Sequence, residues 1–142
     1  MADDPQVLAE AIAQAMYARD SASQSLGMEL LAVGPGTARM RMRLRDDMLN
    51  GHGTGHGGLV FALADSAFAF ACNARGGTVV ALACQITFVA PARPGDELEA
   101  EAVEQARAGR TGVYDVMVRN QRGETVALFR GNSYRTREAA AG

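Results

Sequence analysis

Residues 55–77 read GHGGLVFALADSAFAFACNARGG, and the fold turns on how this stretch is read. Ala, Leu and Phe dominate positions 59–74, turn residues are absent, and the run lasts about 16 positions, so it predicts a helix rather than a strand. Apolar side chains pass almost all the way round that helix, which requires burial on nearly every side. Asp65 and Ser66 alone interrupt its body, and Gly76-Gly77 stops it. Upstream, five glycines between Gly51 and Gly58 preclude regular structure.

The flanking segments read as strands. From Ala38 to Arg45, Arg39, Arg41, Arg43 and Arg45 alternate with Met40, Met42 and Leu44, a period of two that puts the arginines on one solvated face. Before it come an apolar strand over residues 27–33 and a Gly34-Pro35-Gly36 turn. The chain starts with a helix entered at Asp4-Pro5 and running to about Arg19, followed by a polar connector over 20–25. After Gly77 four strands are expected in a meander: 78–88, 97–106, 111–119 and 125–134. A turn at Pro91–Asp96, a break at Gly109 and a hairpin turn at 120–123 separate them. The order predicts one α+β domain over residues 1–142, an antiparallel sheet wrapped round a long central helix. Residues 1–24 add an N-terminal helix and connector, and 137–142 are expected to form a flexible tail. The outer sheet face is expected to be buried by association.

Composition narrows the function. The chain has 142 residues and a net charge of −2, so it lacks the positive excess of a nucleic-acid binder. All 14 basic residues are Arg, which removes Lys-based Schiff-base chemistry and Walker-type phosphate loops. Cys72 and Cys84 are too few for a disulfide scaffold and read as buried small hydrophobes. No signal peptide or bilayer-length apolar run is visible, so a cytoplasmic protein without membrane partners is expected.

Asp65 is the most informative residue. A carboxylate within an apolar helix is desolvated unless it is paired or functional; the bland alternative is a side chain leaving through a polar edge. Gly55-His56-Gly57-Gly58 lies just before the helix, where unpaired backbone N–H groups and the positive dipole end suit an anion or a developing oxyanion. Gly57 and Asp65 are separated by about 12 Å at 1.5 Å per residue, too far to act on one carbonyl carbon. If both are used, they come from different chains, which predicts a dimer. His52 and His56 lack a third ligand, so no metal is expected. Ser66 lies in no nucleophile elbow, and the dinucleotide-like glycines at 53, 55 and 58 have no acidic ribose partner.

The run Asn50-Gly51-His52-Gly53-Thr54-Gly55-His56-Gly57-Gly58, followed by Leu63-Ala64-Asp65-Ser66-Ala67-Phe68-Ala69, resembles the signature of PaaI-type hotdog-fold thioesterases of phenylacetate degradation. Thr111-Gly112-Val113-Tyr114-Asp115-Val116 and Ala127-Leu128-Phe129-Arg130-Gly131 extend the match to about residues 28–135. The resemblance implies a hotdog fold, a homodimer paired into a homotetramer, and hydrolysis of aromatic acyl-CoA thioesters such as phenylacetyl-CoA without a cofactor. By position, Asp65 matches the catalytic base or nucleophile and Gly57 the backbone donor from the other subunit. Asn50 matches a residue that orients water or the carboxylate, and His56 lies beside the donor. The implied substrate-binding set is Gly58, Phe88, Gly109, Arg110, Thr111 and Arg135. Arg93 also lies in a loop where it could meet CoA phosphate, although each of these arginines reads equally as solvated. One departure stands out: Val80, Ala81, Leu82 and Ala83 offer no hydroxyl where many relatives place Ser or Thr. Two other readings stay open, a silent acyl-CoA-binding module and a nucleotide-binding protein using residues 53–58.

Overall fold

The computed structural model describes residues 4–138. Asp4 caps the first helix, α1 (Pro5–Arg19), accepting from the backbone N–H of Gln6 at 2.9 Å, with Pro at the first turn where its missing N–H is harmless. A second short helix follows, α2 (Ser21–Ser25), where a connector was expected. Asp20 explains it, because its carboxylate accepts from both Ser23 N–H (2.9 Å) and Ser23 Oγ (2.6 Å). Then come β1 (Glu29–Gly34), β2 (Thr37–Arg43), a 3-10 turn at Asp46–Met48, the long helix α3 (Gly57–Asn73), β3 (Thr78–Phe88), β4 (Glu97–Ala108), β5 (Thr111–Arg119) and β6 (Thr125–Arg137).

All six strands form one antiparallel sheet in the order β1-β2-β4-β5-β6-β3, and α3 packs across every one of them. The expected meander holds only from β4 to β6. β3 pairs with β6 at the far edge, and β4 instead joins β2, where Arg39, Arg41 and Arg43 stand opposite Glu101, Glu99 and Glu97. Opposite charges facing across a ladder favour that pairing. Met40, Met42, Leu98, Val116 and Val118 cover α3 from the sheet, while Leu63, Ala64, Ala67, Phe68 and Phe70 fill the space from the helix. The Arg row points outward as the alternation predicts, with Arg41 paired to Glu29 at 3.0 Å.

Several boundaries differ from the sequence reading: β2 ends at Arg43, so Arg45 lies outside the strand, and β4 runs on to Ala108. β1 starts at Glu29 because Gly27 takes a φ of 72°, outside extended conformation. Helix α3 starts at Gly57, inside the segment expected to be irregular, because His56 caps it. β6 runs on to Arg137 by pairing with β3, so the expected tail is strand at its first residue, and 139–142 lie outside the described residues. Finally, α3 is not buried all round: Leu59, Phe61, Ala62, Asp65, Ser66 and Ala69 are only half-buried, and so is Cys84 on β3, whereas Cys72 is buried. Among the described residues no helix is long and apolar enough to cross a membrane.

Candidate active site

A single side chain shapes the loop before α3. Asn50 Oδ1 accepts from the backbone N–H of His52 (2.9 Å) and of Thr54 (3.2 Å), and Asn50 Nδ2 donates to Thr54 Oγ1 (3.1 Å). The Asn50 N–H also donates to the Thr54 carbonyl at 2.8 Å, closing a tight turn in which Gly53 takes a φ of 78°. Two bonds moor this loop to its surroundings: Gly55 N–H to the Ala92 carbonyl (2.8 Å) and His56 N–H to the Met48 carbonyl (2.9 Å).

His56 then closes the helix end. Its Nδ1 accepts from Gly58 N–H at 3.0 Å, and its carbonyl receives the N–H groups of Leu59 and Val60. Of the backbone donors from Gly55 to Val60, only that of Gly57 has no acceptor among the described residues. A lone N–H at the positive end of a 17-residue helix is suited to a carbonyl oxygen gathering charge. His56 therefore contributes by capping, with Nδ1 engaged, and Gly58 has its donor spent on that cap.

Gly57 lines a cavity of about 300 Å³ together with Asn50, Thr54, Val60, Phe88 and Val126, among others. Phe88 comes from the last position of β3, and a Cβ on Gly57 would stand 3.0 Å from its Cζ. The absent side chain is what lets the ring lie over the helix start. The structure thus brings together Asn50, Gly57 and Phe88.

Asp65 is elsewhere. It is half-buried, makes no hydrogen bond or ion pair among the described residues, and burial raises its pKa above the ordinary carboxylate value. Its neighbour Ser66 has a structural partner, Ser23 Oγ at 3.0 Å, which ties α2 to α3. The remaining predicted residues gather at the other end of α3. Arg135 Nη1 donates to the Gly76 carbonyl (3.0 Å) and Arg110 Nη1 to the Arg135 carbonyl (2.9 Å), with Gly109, at a φ of 59°, and Thr111 completing that turn. Across 17 residues of helix this group is about 25 Å from Gly57 of the same chain, at 1.5 Å per residue. Arg93 is exposed, and its backbone N–H serves the Asp96 carboxylate. A larger cavity of about 620 Å³, lined by Gln85, Glu101, Asp115, Arg119 and Arg130 among others, opens on the outer sheet face away from α3 and contains none of these groups.

Nothing in the sequence alone marks Thr54 as a site residue. Its spacing from Asn50 is an ordinary turn pattern, and only the fold shows that the turn borders the cavity.

Residues 52–127 match the family model of the Thioesterase superfamily. The chain is 46% identical over 123 residues to the acyl-coenzyme A thioesterase PaaI of Escherichia coli K12, covering 87% of this chain and 88% of that protein. The solved structure of the E. coli PaaI protein from the phenylacetic acid degradation operon superposes with a TM-score of 0.94 at 42% identity, covering 97% of this chain and 100% of that one. A Streptococcus mutans protein, smu.793 bound to acetyl CoA, superposes with a TM-score of 0.76 at 25% identity, covering 80% and 91%.

Proposed function

Because the chain belongs to the Thioesterase superfamily, as a PaaI-type acyl-CoA thioesterase of the hotdog fold, we propose that it hydrolyses aromatic acyl-CoA thioesters such as phenylacetyl-CoA or its ring-hydroxylated forms. The observation that carries the site assignment is the unpaired Gly57 N–H at the start of α3, in a residue that lines a cavity. The thioester carbonyl oxygen accepts from it, and negative charge gathering there is met by the helix end. Asp65, left without a partner in a desolvated position, takes the proton of the attacking water, or attacks the carbonyl carbon itself to form a mixed anhydride that water then hydrolyses. The C–S bond breaks, CoA leaves as thiolate and is protonated, and the acid is released. Sulfur donates little resonance to a carbonyl and leaves readily, so no metal or cofactor is required. Phe88, Val60 and Val126 give the cavity apolar walls that suit an aryl group.

The two halves belong to different subunits in this reading. Within one chain Gly57 and Asp65 stand about 12 Å apart along α3. Strand β3 is a sheet edge among the described residues, with Leu82 64% exposed and Val80 45% exposed, as expected of an edge that another copy covers. In a two-fold dimer where Gly57 of one copy meets Asp65 of the other, symmetry makes the two α3 helices antiparallel. The subunit supplying Asp65 then also extends its helix end, with Arg110 and Arg135, past the site, placing cations about 12 Å or more from the carboxylate. That is the direction in which the CoA phosphates would lie. Leu128 and Val103, exposed on the outer sheet face, support a further pairing of dimers into a tetramer.

Thiol release from a panel of aryl- and alkyl-CoA thioesters tests the reading. Turnover by the wild type with a loss of about a hundredfold or more in Asp65→Asn supports it. A wild type that releases no thiol leaves a binding module, and an equally active Asp65→Asn removes Asp65 from the mechanism.

A further inference from the structure

We propose that Thr54 is a positioning residue for this hydrolysis, its hydroxyl fixing the Asn50 amide so that one N–H of Asn50 is left for the occupant of the Gly57 cavity. The inference rests on the thioester-hydrolysis reading and adds a residue to it.

The orientation of the Asn50 amide is set by its bonds. Both backbone N–H groups that reach it, those of His52 and Thr54, require an acceptor, so the amide oxygen, not the nitrogen, occupies that position. Thr54 Oγ1 stands 3.1 Å from Nδ2 and 3.3 Å from Oδ1, on the carbonyl side of the amide, and so takes the proton syn to the oxygen. The second Nδ2 proton has no acceptor among the described residues. Asn50, Thr54 and Gly57 line the same cavity. The site therefore contains two donors, Gly57 N–H and Asn50 Nδ2–H, and Asn50 acts toward a water oxygen or a carboxylate by donating, not by accepting.

Without the Thr54 hydroxyl its own bond to Oδ1 is lost, but the two backbone N–H bonds to Oδ1 persist and the loop keeps its turn. The amide then loses the contact that holds its plane against rotation, and the second donor is no longer held in place. Such an effect falls on the rate of the chemical step more than on substrate capture.

The test compares Thr54→Val, nearly isosteric but without a hydroxyl, with Thr54→Ser in the full chain, using whichever thioester the wild type turns over best. The expected result for Thr54→Val is a kcat lower by about tenfold with KM within about twofold and an unchanged melting temperature. Thr54→Ser is expected to restore kcat to within about threefold of wild type. On an Asn50→Ala background, Thr54→Val should lower kcat no further, because the group it positions is gone. Wild-type kcat in Thr54→Val overturns the proposal, as does a loss of the same size on the Asn50→Ala background, or a Thr54→Ser variant as slow as Thr54→Val. If Thr54→Val melts early, the Ser variant and the Asn50→Ala background decide. A wild type inactive on every thioester overturns the hydrolysis reading and this inference with it, whereas active wild type and equally active Thr54→Val overturn this inference alone.

Discussion

Gly57 and the ring of Phe88 share one space: a Cβ on the glycine would stand 3.0 Å from Cζ and 3.4 Å from Cε1 of the ring. Phe88 is 53% exposed at the end of β3, so the ring can swing aside. Alanine also suits a helix better than glycine. Gly57→Ala should therefore fold with a melting temperature within about 2 °C of wild type. Moving the ring alters the cavity wall beside the donor, and kcat/KM for aryl thioesters should fall about tenfold. Thermal melts and thiol-release kinetics on the same preparation check both parts.

Gly131 presents the same kind of contact with the opposite outcome. A Cβ there would meet three atoms of the Phe68 ring at 2.7–2.9 Å. Phe68 is fully buried, with the rings of Tyr114 and Phe129 at centroid distances of 5.6 and 5.7 Å, so it has nowhere to move. Gly131→Ala should destabilise the fold by about 2 kcal/mol through overpacking. Urea unfolding should show a lower midpoint at unchanged slope, and an unshifted midpoint would mean that the core beneath β6 has room to spare.

Burial raises the pKa of Asp65, so its charged form is disfavoured in the folded chain. If it is the base, kcat/KM falls as pH drops through that raised value, and the inflection lies above the ordinary Asp range near 4. For stability the sign is reversed from a salt-bridged Asp. A raised folded pKa favours the fold below the unfolded value, and this contribution is lost as pH rises through the folded one. Asp65→Asn, inactive, should therefore melt slightly higher than wild type at pH 7, by about 2 °C, and the gain should vanish near pH 3. Differential scanning at both pH values reads it.

Asp96 behaves in the opposite way. Burial pushes its pKa up, but the N–H of Arg93 (2.9 Å), the Gln121 amide (3.0 Å) and the Arg122 guanidinium (3.6 Å) together hold it below the ordinary value. Its stabilisation is complete above the unfolded pKa near 4 and is lost as pH falls through the lowered folded value. Asp96→Asn should cost about 1–3 kcal/mol at pH 7. The gap to wild type should narrow as pH falls through that lowered value. Denaturant titrations at pH 7 and pH 3 measure that narrowing.

Local readings fared better than long-range ones. The central helix, the alternation as far as Arg43 and the 120–123 hairpin turn could be read because each signal lies within a few residues. The sheet order could not, since the choice between β4 and β6 as neighbour of β3 depends on contacts distant in sequence. Yet part of it was written in the charges: Arg39, Arg41 and Arg43 needed a partner such as Glu97, Glu99 and Glu101, and the alternation in β4 supplied it. Helix α2 escaped notice because Asp20 and Ser23 form a common cap on a very short element. At the candidate site, the free donor of Gly57 was foreseeable from helix-end chemistry. The engagement of His56 Nδ1 as the cap and the contribution of Thr54 were not, because both depend on loop geometry.

A site shared between chains can be detected by complementation. Gly57→Pro removes the N–H donor at a helix position where proline is tolerated, and His56, at φ −63° and ψ 127°, already holds the extended conformation that a residue before proline prefers. Asp65→Asn removes the carboxylate. Each variant alone should be inactive. Unfolded together in equal amounts and refolded, half of the dimers combine one chain of each kind. In those, one of the two sites pairs the intact Gly57 of the Asp65→Asn chain with the intact Asp65 of the Gly57→Pro chain. Activity should return to about a quarter of a wild-type sample treated in the same way. A site built within one chain gives no recovery, because every chain in the mixture lacks one of its two halves. Recovery would therefore assign the Gly57 donor and the Asp65 carboxylate to different subunits without any measurement of distance.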